Sequence, residues 1–470
     1  MKINYRLTAK ALLPKTDRVF ALAGRKIRAL NGAWDPAKGT PVFTWKGQYT
    51  SRGWTEWTQG FQFGMAFLHF DATGDEEFLR LGREKTVRHM ASHVSHVGVH
   101  DHGFNNVSTY GNLRRLILEG RLSADQREVD YTEIALKASG AVQAARYVPT
   151  AYRQPWSPLA EAAGVAPSGY VYSFNGPQSL FADTIRSMRS LVVAHQLGHV
   201  LMSEGDKPVN LLHRAVEHAA TTARFNVFFG QGRDRYDVRG RVAHESIFNR
   251  TDGQFRCPSS QQGYSPFTTW TRGAAWIICG FAEQLEFLHT VRGSDLDAVG
   301  GRRAVTDLFL ETARAASDYY IDGYSARDGV PYWDSAALNT HRLGNFTAVD
   351  ADPFNDHEPV DSSAAAIAAQ GFLRLGQYLA GQGQAAAGRR YLQAGLTLAD
   401  TLFAEPYLST SARHQGLLLH SVYHRPNGWD YIPPGQKVPC GEACMWGDYH
   451  AMELALLIRR LAAGKYYTFF

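Results

Sequence analysis

The chain has 470 residues, 44% of them hydrophobic and 20% charged, which excludes a disordered or low-complexity protein. Its 49 basic and 44 acidic residues leave a net charge of +5 without a Lys/Arg block, so nucleic acid is not an expected partner. No stretch approaches a membrane span, the N-terminus "MKINYRLTAKALLPKTDRVF" lacks a signal-peptide core, and four cysteines are too few for a disulfide framework, so a reduced, cytoplasmic protein without membrane contact is expected.

From the N-terminus, "GWTEWTQGFQFGMAFLHFDATGDEEFLRLG" begins polar and aromatic and then turns helical. Helical stretches follow in "REKTVRHMASHV", "SLFADTIRSMRSLVVAH" and "KPVNLLHRAVEHAATTARFNVFF". A Gly-, Asp- and Arg-rich region near 230 to 265 reads as irregular. The stretch "SPFTTWTRGAAW" at 265 to 276 then bunches two tryptophans and a cation at the start of a helix. From Ile277 onward, Ile278, Phe281, Leu285 and Leu288 recur at three- and four-residue steps, the amphipathic helical period. After "AVTDLFLETARAASDYYIDGY" comes a second irregular region near 334 to 360, in which "GVPYWDSA" reads as a loop rather than a strand. "DSSAAAIAAQGFLRLGQYLA" and "CMWGDYHAMELALLIRRLA" repeat the aromatic or polar entrance followed by a small-residue helix. Length alone allows about three domains, but no linker divides this loose series of helical hairpins. Stacked hairpins bury a continuous core, and closing the stack into an (α/α) toroid would gather the aromatic entrances around one cavity.

Several residues in those entrances admit two readings. Asp183 interrupts an apolar run between Phe181 and Ile185; it is either a buried acid/base or a first-turn carboxylate favoured by the helix dipole and paired with Arg186. Asp101, between His100 and His102, is either a site residue or a loop cap. Arg272 and Trp276, four apart, share a helical face and form either a carboxylate fork beside a sugar-stacking wall or an Arg–Trp stack. His218 alone reads as a helix-face histidine. Cys279 reads as core packing. Cys440 and Cys444 lack a second ligand pair at metal spacing, so no metal is expected.

Taken in order, "WTQGFQFGM", "HDHGF", "QQGYSPFTTWTRGAAWIICGF", "GVPYWD", "DSSAAAIAAQG" and "MWGDYHAMELAL" resemble the unsaturated glucuronyl hydrolases, glycoside hydrolase family 88. The match runs from about Trp54 to Leu457, and the related unsaturated rhamnogalacturonyl hydrolases share the toroid. The resemblance implies an all-α (α/α)₆ barrel over residues 1–470 as one catalytic domain, with 1–50 a poorly matched segment packed on or leading into it. It also implies hydration of the C4=C5 double bond of a Δ4,5-unsaturated uronic acid at the non-reducing end of lyase-generated oligosaccharides. The hemiketal so formed opens and releases the remaining saccharide, and no metal or organic cofactor takes part. Carried over residue by residue, Asp183 is the general acid and base, and Asp101 its carboxylate partner. Trp57, His100, His218, Gln262, Trp270, Arg272 and Trp276 bind substrate. In that set His218 and Gln262 hydrogen-bond it, Arg272 holds its carboxylate, and the tryptophans form the wall.

The chain departs from the family pattern at Gln62 and at Phe174 or Asn175, where tryptophans are usual. It also departs at Val360-Asp361, where Arg-Asp is common. Two other enzyme readings keep the toroid: a polysaccharide lyase using His or Tyr, and a hydrolase of saturated uronides using two carboxylates. A catalytically silent sugar-binding protein is a further alternative, since fold does not fix function.

Overall fold

Short helix-capping side chains punctuate the chain into alternating outer and inner helices. The computed structural model describes residues 1–52, 56–153 and 164–470; Trp54, where the ordered family match begins, lies outside them. Among the described residues the principal helices are α1 (Leu13–Ala33), α2 (Gln59–Thr73) and α3 (Glu76–His89). Next comes α4, which runs from His102–Asn106 through a π-turn at Val107–Gly111 into Asn112–Leu118. It is followed by α5 (Gln126–Ala145), α6 (Thr184–Ser187 continued by Arg189–Gln196) and α7 (Leu211–Phe225). The series ends with α8 (Thr271–Leu288), α9 (Gly301–Tyr319), α10 (Ser362–Gly381), α11 (Ala385–Leu402) and α12 (Met445–Ala462).

The starts are chemically marked. Asp75, Asp125, Asn210 and Asp361 each accept a first-turn backbone N–H at α3, α5, α7 and α10, satisfying donors that an unprotected helix start leaves orphaned.

The even-numbered helices pack side by side in the order α2–α4–α6–α8–α10–α12 and back to α2, a closed ring. The odd-numbered helices pack outside it: α1 against α12 and α2, α5 against α4 and α6, α9 against α8 and α10, α11 against α10 and α12. This is the (α/α)₆ toroid. The inner helices are apolar nearly all round because both faces are covered; in α8 every residue but Glu286 is buried. Two glycines allow the inner helices to touch. A Cβ at Gly103 would lie 2.3 Å from the Ser187 carbonyl oxygen, and one at Gly280 would lie 2.8 Å from the Ile185 side chain. Those contacts press α4 and α8 directly against α6.

A buried ion network crosses the ring. Arg186 on α6 forks onto Glu283 of α8 at 3.1 Å through both nitrogens and reaches Glu453 of α12 at 2.9 Å. Arg374 of α10 pairs with Glu286 at 2.8 Å. Deeper along the inner helices, Tyr466–Phe470 fill the end of the ring away from the aromatic entrances. The Arg189 guanidinium lies over Phe469, Arg115 lies over Tyr467, and Phe287 meets Phe470 edge-on. Tyr466 donates to Glu286, and Arg374 donates to the Tyr467 carbonyl.

The region near 230 to 265 is not all irregular, as its composition suggested. The strands β1 (Ser179–Phe181), β2 (Glu245–Phe248) and β3 (Phe255–Ser259) form an antiparallel sheet in the order β1-β2-β3. These strands are three to five residues long. The β1 strand is buried along its whole length, so no alternation of apolar and polar residues announced it. The sheet matters because β1 delivers Asp183 and β3 leads into Gln262. The "GVPYWDSA" segment is a loop, with isolated bridges from Tyr332 to Val360 and from Asp334 to Trp270.

Candidate active site

All six inner helices begin at one end of the ring, and residues at the starts of four of them, α2, α4, α6 and α8, line a cavity of about 430 Å³. Of the nine residues expected at the site, eight line it: Trp57, His100, Asp101, Asp183, Gln262, Trp270, Arg272 and Trp276. The helix starts that line the cavity turn their N-terminal ends towards it, an arrangement that suits an anionic ligand.

Asp101 and Asp183 occupy the N-cap positions of α4 and α6, yet neither side chain accepts a capping hydrogen bond. Both carboxyls instead flank His100. Its Nε2 lies 3.4 Å from Asp183 Oδ1 and 3.7 Å from Asp101 Oδ1. His100 is only 2% exposed, and neither ring nitrogen nor Asp183 Oδ1 makes a hydrogen bond. Buried polar atoms without partners cost about 1–3 kcal/mol each, so this cluster is held together against a penalty. What holds it is the surrounding scaffold. Gln143 donates to the His100 carbonyl at 2.6 Å and to Ser187 Oγ at 2.9 Å, and Gly103 N–H donates to the same hydroxyl at 2.9 Å. Phe174 stacks on the imidazole at 6.2 Å, and Phe181 meets it edge-on at 5.6 Å. Arg186 does not pair with Asp183, because its charge is committed to Glu283 and Glu453.

The charge distribution follows from this geometry. Burial opposes a charge on His100, but Asp101 and Asp183 outweigh it and raise the imidazole above its ordinary value of 6.5. Burial pushes the Asp101 carboxyl upward, against the pull of His100. For Asp183 burial works upward too, but the neighbouring imidazolium more than offsets it and holds the carboxyl below its ordinary range. The geometry therefore favours the cluster's proton on His100 over Asp183, against the effect of burial alone.

Arg272 lines the cavity with partners other than the substrate carboxylate expected for it. Its Nη1 lies 3.1 Å from Asp361 Oδ2 and donates to the Val422 carbonyl; Nη2 donates to Gln262 Oε1 at 3.0 Å and to the Tyr423 carbonyl at 2.8 Å. The guanidinium sits between Trp270 and Trp446, 4.6 and 4.7 Å from their ring centroids. Trp276 is not its stacking partner, and Arg272 is a fully buried linchpin rather than a residue at the cavity mouth. Trp57 stacks on Trp446 at 4.9 Å, and Phe104 bridges Trp57 and Trp276, so the aromatic entrances form one wall.

His218 is the exception among the expected residues. It does not line the cavity: it is fully buried, and its Nδ1 accepts the Val171 N–H at 3.1 Å. Burial drives its pKa down to about 3. It braces the backbone behind the site instead of facing a substrate. Gln62 is likewise buried and donates to Asn31, whereas Phe174 does line the cavity.

Two residues were missed in the sequence. His244 is also buried and held neutral, its pKa lowered to about 3. Its Nδ1 accepts from Gln261 and Gln262 N–H at 3.0 and 3.2 Å, and its carbonyl accepts Ala182 N–H at 2.8 Å. One histidine thus ties Gln262 to the residue before Asp183. Its position just before the short strand β2 was the available signal. Tyr423 lines the cavity, and its hydroxyl accepts from Trp57 Nε1 at 3.4 Å; no local pattern marks it out.

No family model matches the chain. The chain is, however, homologous to proteins known as unsaturated glucuronyl hydrolases. That of Formosa agariphila is 24% identical over 404 residues, covering 85% of this chain and 78% of that protein. That of Bacillus sp. strain GL1 is 25% identical over 420 residues, covering 88% and 89%. The crystal structure of the Bacillus protein matches with a TM-score of 0.66 at 22% identity, over 95% of this chain and 97% of that one.

Proposed function

We propose that this chain, a homologue of the unsaturated glucuronyl hydrolases, adds water across the C4=C5 bond of a Δ4,5-unsaturated uronic acid at the non-reducing end of an oligosaccharide. The observation that carries the reading is the Asp101–His100–Asp183 cluster. It comprises two buried carboxyls and one imidazole at the mouth end of the inner ring, with both imidazole nitrogens and Asp183 Oδ1 lacking hydrogen-bond partners.

In this reading the uronate ring enters between the Trp57–Trp276 wall and the cluster. Its entry displaces water, and this desolvation favours moving the shared proton from His100 onto Asp183, which leaves both groups neutral. Asp183 then protonates C4, and positive charge develops at C5 beside the ring oxygen. The carboxylate left on Asp183 takes a proton from water as the hydroxyl joins C5, which restores the starting protonation. The hemiketal at C5 opens and the glycosidic oxygen leaves with the rest of the saccharide. Asp101 holds the imidazole and shares its charge. Gln262, fixed by Arg272 and His244, offers its amide to sugar hydroxyls. Four free cysteines, Cys257, Cys279, Cys440 and Cys444, support a reduced compartment and hence a cytoplasmic location; among the described residues no helix is long and apolar enough to cross a membrane.

The test is to incubate the protein with a panel of lyase-generated disaccharides and follow the ultraviolet absorbance of the conjugated enol ether. Loss of absorbance is the expected result. A gain from intact polysaccharide would reveal a lyase, and binding with no change would reveal a silent sugar-binding protein.

A further inference from the structure

Three non-glycine residues among those described have a left-handed backbone: Lys46, Asp206 and His420. Lys46 and Asp206 sit exposed at the tips of the hairpins 43–50 and 201–209, where such turns are common. His420 is different. It has a φ of +63°, is only 2% exposed and lies three residues before Tyr423, on the segment whose carbonyls Arg272 grips. A left-handed backbone is unfavourable for a residue with a side chain, and it persists in a buried one only where the surroundings hold it. We propose that His420 is a positioning residue for the hydration reaction: its left-handed turn and the hydrogen bond its ring accepts together aim Val422 and Tyr423 at the cavity. The proposal rests on the hydration reading above, which seats the unsaturated ring against the wall that Tyr423 joins.

The turn is held through the ring and through the backbone. The imidazole Nδ1 accepts the Gly441 N–H at 3.1 Å, and Gly441 is itself left-handed, with a φ of +78°. The ring stands edge-on to Phe354 at 5.0 Å and to Tyr407 at 5.8 Å. Burial lowers its pKa to about 4, so at neutral pH Nδ1 keeps its lone pair for Gly441. The His420 carbonyl accepts the Ser362 N–H at 3.1 Å at the start of α10, and the Ser421 N–H donates to the Glu442 carbonyl at 3.0 Å. Leu419, just before the turn, bridges Ala443. Just after it, Val422 and Tyr423 give their carbonyls to Arg272, which holds Gln262, and the Tyr423 hydroxyl accepts from Trp57 Nε1. At the far end Asp430 accepts the N–H groups of Tyr423 and His424. The segment is therefore clamped at both ends, and His420 is the near clamp. It braces the aromatic wall and Gln262 rather than the proton cluster, so its displacement should weaken substrate binding more than proton transfer.

The experiment uses three substitutions that separate the ring's hydrogen bond, the turn and simple packing. His420→Asn tolerates a left-handed backbone and puts Oδ1 close to where Nδ1 stands. His420→Gly keeps the turn but has no acceptor. His420→Leu fills much of the ring's space but has no acceptor and resists the turn. Initial rates on one unsaturated disaccharide are compared below the lowest melting temperature of the set. His420→Asn should stay within about threefold of the wild type in kcat/KM, and His420→Gly should lose about tenfold, the effect of one hydrogen bond. His420→Leu should lose about a hundredfold. The losses should fall mainly on KM, and the pH profile should keep its alkaline limb, because His100 is untouched. If packing alone matters, His420→Leu outperforms His420→Gly, and that order overturns the proposal. So does His420→Asn proving no better than His420→Gly, a comparison that stands even if His420→Leu fails to fold. No turnover by the wild type would instead refute the hydration reading. Crystal structures of His420→Asn and His420→Gly would then decide the turn alone. The Trp57–Tyr423 and Arg272–carbonyl contacts kept in the first and lost in the second support it, and any other pattern overturns it.

Discussion

Arg272 and Asp361 face each other across 3.1 Å at the starts of α8 and α10, both buried. Asp361 also caps α10 through the N–H groups of Ser363 and Ala364, and Arg272 grips two carbonyls of the 422–423 segment. One ion pair therefore joins two inner helices and the loop that carries Tyr423.

Removing either partner strands a buried charge, which costs about 3–5 kcal/mol. Arg272→Met should therefore lower the melting temperature sharply and abolish activity through loss of structure. Arg272→Met combined with Asp361→Asn should recover part of the stability, because no charge is left alone. Thermal melts of the two variants check this. If Arg272→Met melts like the wild type, the cation is free to serve a substrate instead.

Asp183→Asn should behave oppositely. The side chain makes no hydrogen bond through Oδ1 and caps nothing, so folding should persist. Turnover should fall about 10²–10⁴-fold, because an amide neither gives nor takes the proton. Initial rates beside a circular-dichroism melt separate the two effects.

The pH profile should report His100. A raised imidazole pKa means the proton is fully present below the ordinary value of 6.5 and is lost as pH rises through the folded value. Stability from the His100–carboxylate pairing follows the same direction, and activity should decline on the alkaline side of that folded value. In His100→Gln the last proton of the cluster resides on carboxyls alone. The alkaline limb of kcat/KM should then move to lower pH by at least about one unit. An unmoved limb would place the essential proton elsewhere.

His244→Phe keeps the ring packing against Phe181 and Trp270 but removes the acceptor for two backbone N–H groups. Two freed donors cost about 1–3 kcal/mol each where they remain buried. The Gln262 loop should loosen, with KM rising about tenfold and kcat falling less. Steady-state kinetics on one disaccharide suffices to test it.

The ring itself was legible because each inner helix opens with the same kind of aromatic or polar entrance, and convergence of those entrances is what a closed ring of parallel inner helices requires. Asp101, Asp183 and Trp57 were singled out through the family resemblance, since the residues alone left a capping or packing reading open, and all three line the cavity. The β1-β2-β3 sheet was not legible: β1 pairs with β2, a strand more than sixty residues downstream, and its burial carries no alternation. His244 was hidden with it. The partners of Arg272 were not legible for a physical reason. A cation at a helix start suggests exposure, but its actual partner, Asp361, belongs to a different entrance that only the closed ring brings near. His218 was assigned to the substrate only through the family resemblance, and its Nδ1 instead accepts the Val171 N–H.

Tyr466–Phe470 make the barrel a cul-de-sac. A tube open at both ends could thread a polymer and work anywhere along it; a blind one admits a chain end only. An enzyme so built shortens oligosaccharides one terminal unit at a time. It must also let the spent sugar back out past the same aromatic wall before the next arrives. Substrate and products then queue at a single doorway, so accumulated saccharide should compete with fresh substrate.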